Sequence, residues 1–150
     1  MFGQEVTILL VEDDPGHARL IEKNLHRSNI TNDLVVLTDG QQAMDYLFGE
    51  GAYQGVKRPA QLLMLLDLNL PVLDGYQVLQ RMKTDERTKH IPVVILTTTD
   101  DAREVARCYE LGCNVYVTKP VDYEQFSEAI CKLGLFLAVV TVPSGEKGVL

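Results

Sequence analysis

The chain has 150 residues, of which 46% are hydrophobic but only 7% aromatic, a composition that predicts one compact domain with an aliphatic core. The 14 Lys and Arg residues against 21 Asp and Glu residues give a formal net charge of -7, which disfavours direct binding to nucleic acids or anionic membranes. No segment reaches the ~20 consecutive apolar residues that span a bilayer, and the first residues lack a charged and apolar leader, so we expect a cytoplasmic protein.

The first predicted strand leads directly into a group of acidic residues. An apolar run over residues 6–11 predicts a buried strand, which is followed at once by Glu12, Asp13 and Asp14. Asp14 suits the N-cap of a helix and Pro15 its first position, where the amide that proline lacks would be unpaired anyway. The sequence therefore predicts a strand, an acidic turn and a helix.

The next two strands are separated by a helix and a long loop. Residues 34–37 predict a strand, and the turn at residues 39–40 begins a helix. Residues 49–58 contain three glycines, and they predict a loop longer than the usual connection of about two to six residues. The apolar run over residues 63–66 ends on Asp67. This run is continuous rather than alternating, which predicts a strand covered on both faces.

The rest of the chain repeats the same alternation of strand and helix. An apolar run over residues 91–96 ends on Thr97, and another over residues 115–118 ends on Lys119. The apolar residues that indicate the third, fourth and fifth helices are Val78, Leu79 and Met82, then Val105, Ala106, Tyr109 and Leu111, and finally Phe126, Ala129, Ile130 and Leu133. Repeated βα units with short turns predict a doubly wound α/β fold with a parallel sheet.

The acidic residues at the ends of the strands predict a cation site. Ligands of such folds bind beyond the carboxyl ends of the strands, where Glu12, Asp13 and Asp67 would meet. At an effective dielectric constant of about 20, two carboxylates ~4 Å apart repel each other by roughly 4 kcal/mol. A hard divalent cation offsets this repulsion, and a site with few protein oxygens and an open rim suits Mg²⁺ better than Ca²⁺.

The chain resembles the receiver domain of two-component response regulators. In that family four strands end, in this order, in an acid pair, an acid, a hydroxyl and an amine. The resemblance covers residues 5–133 and implies a flavodoxin-like sheet of five strands in the order 2-1-3-4-5. It also implies that Asp67 accepts a phosphoryl group and that Asp13 and Asp67 bind Mg²⁺ with the backbone carbonyl of Asn69. Glu12 would act on the metal directly or through water.

The resemblance also assigns roles to three residues near the ends of the last two strands. Lys119 and Thr97 would contact the phosphoryl group. Phosphorylation would draw Thr97 toward the phosphate while Tyr116 swings inward; the alternative is that Tyr116 only presents its hydroxyl at the surface. Two positions depart from the family pattern, because Thr98 is bulkier than usual and Val121 stands where phenylalanine is frequent. Neither departure removes a charge that the chemistry needs.

Within this family, the chain resembles the stand-alone response regulators of cyanobacterial phytochromes. The features that carry this are the sequence of residues 67–71, the long loop before it, residues 96–98 and an apolar tail. The resemblance implies a histidine kinase of a phytochrome as phosphodonor, and we expect no DNA-binding output. We expect a receiver domain over residues 1–134 and a C-terminal extension over residues 135–150 that, with the last helix, builds a homodimer.

Two other functions remain open from the sequence. An aspartyl-phosphate hydrolase of the haloacid dehalogenase type also places a nucleophilic Asp at a strand end beside Mg²⁺. It needs a second Asp two residues later, however, where this chain has Asn69. A docking module that works without phosphorylation is the other alternative, although all the acids of the switch are present. The preferred interpretation is a switch protein that catalyses only its own phosphorylation and dephosphorylation.

Overall fold

The computed structural model describes residues 6–119 together with Glu124 and Glu128, both of which are helical. The strands are β1 (Val6–Val11), β2 (Leu34–Leu37), β3 (Gln61–Leu66), β4 (Val93–Thr97) and β5 (Val115–Thr118). The helices are α1 (Pro15–Arg27), α2 (Gly40–Phe48), α3 (Gly75–Lys83) and α4 (Ala102–Leu111), and a short 3-10 helix, Gly51–Tyr53, lies in the long loop before β3.

All five strands form one parallel sheet in the order β2-β1-β3-β4-β5. This confirms the predicted doubly wound fold and its strand order. Neighbouring residues near the carboxyl edge are Val11 with Leu66, Leu66 with Ile95, and Thr97 with Thr118. The residues that follow these strands therefore converge on one edge of the sheet.

Alternate residues of each strand enter two hydrophobic cores, one on each face of the sheet. Leu9, Met64 and Ile95 pack on one face with the inner residues of α2, α3 and α4. On the other face, Leu10 and Leu65 pack with the inner residues of α1. A sheet covered in this way needs continuous apolar strands, which is the pattern that the sequence shows.

The start of α1 agrees with the prediction, and α3 has a cap of its own. The Asp14 side chain caps α1 by accepting from the backbone amides of Gly16 and His17 at 2.8 and 3.1 Å, and Pro15 is the first helical residue. Asp74 forms a capping box at the start of α3. The start of α3 lies so close to the end of β3 that only glycine fits there. A Cβ atom on Gly75 would lie 2.4 Å from the backbone oxygen of Asp67.

The residues that α4 buries are not the ones from which this helix was predicted. Cys108 is completely buried and Val105 half-buried, whereas Ala106 is exposed and Tyr109 is 48% exposed. Tyr109 instead lies along the outer strand of the sheet, where its hydroxyl accepts a hydrogen bond from the Tyr116 amide at 3.1 Å. An apolar count cannot distinguish a core position from one that covers a strand edge.

Several predictions fall on residues outside the described part of the chain. These are the fifth helix with Phe126, Ala129, Ile130 and Leu133, the apolar tail at residues 135–140 and the boundary between residues 134 and 135. Among the helices that the structure describes, none has the length and apolar character needed to cross a membrane.

Candidate functional site

Three carboxylates meet at the carboxyl edge of the sheet, as predicted. Glu12, Asp13 and Asp67 each have an oxygen within 4.8 Å of the others. Glu12 and Asp67 are buried, with 2% and 6% exposure, whereas Asp13 is exposed. The ladder of the sheet produces this arrangement, because the Asp67 amide donates to the Val11 carbonyl at 3.1 Å and so continues the pairing of β1 with β3.

Lys119 supplies the positive charge beside the carboxylates. Its ammonium group contacts the Glu12 carboxylate, Asp67 Oδ2 at 3.3 Å and His17 Nδ1 at 3.1 Å. The Lys119 backbone is held in turn by an amide that donates to the Thr97 carbonyl at 2.6 Å. Burial raises the pKa of the Glu12 carboxyl, and the hydrogen bond from Lys119 opposes that shift. The positive charge of the ammonium group therefore offsets part of the negative charge of the two buried carboxylates.

Thr97 is the last residue of β4, and its side chain is completely buried. Within the described residues, its Oγ1 atom has no hydrogen-bond partner. Buried hydroxyl groups without a partner are uncommon and ask for an explanation. A hydroxyl that is satisfied only when a ligand arrives is one such explanation.

Tyr116 is half-buried on β5, and its hydroxyl is hydrogen-bonded. The hydroxyl donates to the Thr99 carbonyl at 2.6 Å, two residues after the end of β4. Burial raises the pKa of Tyr116 to about 12. The side chain therefore fastens β5 to the loop that follows Thr97, and its role as a switch stays a prediction.

Asn69 lies just after the acid cluster and has an exposed side chain. Its backbone amide donates to Asp67 Oδ1 at 3.2 Å. The two carboxylate oxygens of Asp67 thus have different partners, the amide of Asn69 on one side and the ammonium of Lys119 on the other. The predicted role of the Asn69 carbonyl as a metal ligand stays a prediction.

The donor set suits a hard divalent cation. All three clustered ligands are carboxylates, and such oxygens are the ligands that Mg²⁺ and Mn²⁺ favour. The exposed position of Asp13 leaves one side of the cluster open to solvent. The residues present therefore fit a divalent metal with room for further oxygen ligands.

The sequence analysis missed His17, which the structure brings to the site. It lies in the first turn of α1, 102 residues before Lys119 in the chain. Its Nδ1 atom is also 3.9 Å from Glu12 Oε2 and 3.9 Å from Asp14 Oδ2. The only signal in the sequence was the start of a helix directly after the acids, which carries the first turn over the end of the strand.

A second missed group connects α3 to α4. The Tyr76 hydroxyl donates to the Glu104 carboxylate, and the Arg107 guanidinium lies 4.0 Å from the centre of the Tyr76 ring. Burial, followed by the hydrogen bond to Glu104, raises the pKa of Tyr76. This group fixes the helix that follows the Thr97 loop against its neighbour.

Comparison with known proteins gives consistent matches along the chain. Residues 8–131 match the family model described as the response regulator receiver domain. The response regulator Rcp1 of Synechocystis sp. is 41% identical over 138 residues, which cover 91% of this chain and 92% of that protein.

Solved structures match over similar lengths. The structure of the Mn(2+)-bound form of Rcp1 has a TM-score of 0.73 at 40% identity and covers 87% of this chain and 92% of that one. A response regulator receiver domain from Rhodospirillum rubrum has a TM-score of 0.73 at 53% identity, with coverages of 89% and 94%. The phosphorylated cyanobacterial phytochrome response regulator RcpA has a TM-score of 0.73 at 38% identity, with coverages of 90% and 94%.

Proposed function

The chain belongs to the response regulator receiver domain family and is a phosphoacceptor switch, and we propose that Asp67 is its phosphorylated residue. The observation that carries this proposal is the contact of the Lys119 ammonium with both Asp67 and Glu12. This contact places a positively charged ammonium group beside the Asp67 carboxylate, where it can pair with the oxygens of an incoming phosphoryl group. Family membership argues against the hydrolase, and a phosphorylation assay distinguishes the switch from a phosphorylation-independent docking module.

The chemistry at Asp67 is nucleophilic attack on phosphorus. A carboxylate oxygen attacks the phosphorus of a phosphohistidine, the P–O bond forms, and the P–N bond breaks. The imidazole of the donor leaves and takes up a proton. Lys119 then pairs with the transferred oxygens, and the buried hydroxyl of Thr97 donates to one of them.

We propose that the metal is Mg²⁺, held by Glu12, Asp13, Asp67 and the backbone carbonyl of Asn69. The three clustered carboxylates support this assignment. When bound, the ion offsets the negative charge of the attacking carboxylate and of the phosphoryl oxygens. Asp13 is exposed and Glu12 is buried, so Asp13 would contact the ion from the open side and Glu12 from the interior.

We propose that Thr97 and Tyr116 form the switch. Thr97 gains a partner for its hydroxyl only in the phosphorylated state, which biases the equilibrium toward that state. Movement of Thr97 pulls on the loop whose Thr99 carbonyl accepts from the Tyr116 hydroxyl. Tyr116 is then free to change position on the outer strand.

We propose a histidine kinase of a phytochrome as the phosphodonor, in the cytoplasm. The support is the similarity to Rcp1 and to RcpA, a phytochrome response regulator. Spontaneous loss of the phosphoryl group would return the switch to its first state. A DNA-binding output is not part of this proposal.

We further propose a receiver domain over residues 1–134 and a homodimer built by the last helix and residues 135–150. The apolar sequence of residues 135–140 supports this proposal, because large exposed apolar patches usually mark interfaces. Removal of residues 135–150 should give a folded monomer in sedimentation. A truncated protein that still forms dimers would contradict the proposal.

Phosphorylation of Asp67 can be tested with acetyl phosphate and Mg²⁺, followed by phosphate-affinity gels and mass spectrometry. The wild-type protein should gain one acid-labile phosphoryl group on Asp67, and Asp67→Asn should gain none. Asp33→Asn is the control, because Asp33 is exposed and precedes β2 at the opposite edge of the sheet. Mapping of the wild-type phosphoryl group to any other residue would overturn the assignment.

A further inference from the structure

The Lys119 ammonium group has one acceptor for each of its protons. A lysine ammonium carries three N–H donors and no acceptor. Its contacts are Glu12 Oε1, Asp67 Oδ2 at 3.3 Å and His17 Nδ1 at 3.1 Å. Because the ammonium can only donate, Nδ1 of His17 is the acceptor in this contact.

Of these three acceptors, only His17 has no proposed role in metal binding or phosphoryl transfer. Glu12 and Asp67 are proposed metal ligands, and Asp67 is also the proposed nucleophile. We propose that His17 is a positioning residue that holds Lys119 where it can serve Asp67, an inference that rests on the proposed function of that site.

The backbone of His17 is fixed at the start of α1. Its backbone amide donates to Asp14 Oδ1 at 3.1 Å, which fixes the first turn of α1. The ring stands at the rim of the site, with 45% of its side chain exposed, whereas the Lys119 side chain is only 7% exposed. His17 therefore reaches Lys119 from the solvent side.

Loss of the imidazole would remove one of the three hydrogen-bond acceptors of the Lys119 ammonium. The ammonium would keep its two carboxylate acceptors, Glu12 and Asp67, but one of its three N–H donors would lose its acceptor. The unpaired N–H would then turn toward water at the open rim, which draws Lys119 away from Asp67. Displacement of a catalytic group by ~1 Å costs up to about a hundredfold in rate, and we expect a decrease of about tenfold here.

The test compares two replacements of His17 with a matched control. His17→Phe keeps the ring but removes the acceptor, and His17→Gln keeps an acceptor oxygen. His26→Phe is the control, because His26 is exposed on the last turn of the same helix, about 13 Å further along its axis at 1.5 Å per residue. The rate of phosphorylation by phosphoramidate is measured at saturating Mg²⁺, and folding is verified by thermal unfolding.

We expect His17→Phe to slow phosphorylation about tenfold, with His17→Gln recovering most of the rate and His26→Phe unchanged. A double-mutant cycle with Lys119→Ala separates action through Lys119 from any other effect. In the Lys119→Ala background, His17→Phe should have no further effect.

Three results would overturn the inference: a wild-type rate in His17→Phe, no recovery in His17→Gln, or a full effect of His17→Phe without Lys119. These results leave the proposed function intact, because that function fails only if Asp67 is not the phosphorylated residue. The two failures are thus distinguished by mass spectrometry of the same samples.

Discussion

Thr97 and Thr88 offer a matched pair for a prediction about stability. Both side chains are completely buried. The Thr88 hydroxyl donates to the Met82 carbonyl at 2.7 Å, whereas the Thr97 hydroxyl has no partner among the residues that the structure describes. Replacement by valine, which has nearly the same shape, should therefore change the free energy of unfolding in opposite directions at the two positions.

The expected sizes follow from the hydrogen bonds. An unpaired buried hydroxyl costs about 1–3 kcal/mol, so Thr97→Val should raise the free energy of unfolding by about 1–2 kcal/mol. Loss of a made hydrogen bond costs about 0.5–1.5 kcal/mol, so Thr88→Val should lower it by about 1 kcal/mol. In a domain of this size each kcal/mol shifts Tm by about 2–4 °C.

Urea unfolding of the metal-free, unphosphorylated protein, followed by far-UV circular dichroism, measures both changes. Equal m values in the variants and the wild type would show that the comparison concerns stability alone. If Thr97→Val is as stable as the wild type or less stable, the hydroxyl has a partner in the resting state, and the explanation of its burial is wrong.

The same variant tests the functional meaning of the unpaired hydroxyl. Beryllofluoride with Mg²⁺ mimics the phosphoryl group, so it should stabilise the wild-type protein more than Thr97→Val. The wild-type hydroxyl gains a hydrogen bond on binding, and valine cannot form it. Equal stabilisation of both proteins would show that Thr97 does not contact the phosphoryl group.

Three further predictions concern the surroundings of the site and one exposed ion pair. Val72 has a φ of 71° and is 75% exposed, so Val72→Asn should stabilise the protein by about 1 kcal/mol in urea unfolding by relieving backbone strain; a loss of stability would refute this. Gly75→Ala should destabilise it by about 1–3 kcal/mol, because the new Cβ would lie 2.4 Å from the Asp67 backbone oxygen; unchanged urea midpoints would contradict this. Hydrogen bonds from Arg87 lower the pKa of Asp85 from 3.8 to about 2, so the stability from this pair is present above pH 3.8 and is lost as the pH falls through about 2. In Arg87→Ala an NMR titration should find the Asp85 pKa raised toward 3.8, and an unchanged pKa would exclude Arg87 as the cause.

The sequence by itself was sufficient for the existence of the five strands, the starts of α1 and α2 and the residues that follow the strands. Continuous apolar runs predicted β1 and β3, and Asp14 with Pro15 predicted the start of α1. These signals are local, because an apolar run and a helix cap each consist of residues only a few positions apart. The order of the strands came from the family resemblance, which the four strand-end residues were enough to show.

Only the tertiary structure decided which side chains contact one another at the site. The contact between His17 and Lys119 joins residues 102 positions apart, and the unpaired hydroxyl of Thr97 becomes visible only when every neighbour is in place. The inner face of α4, with Cys108 buried and Tyr109 turned toward β5, was likewise decided by packing. Such contacts depend on sheet register and side-chain reach, which a pattern along one chain does not contain.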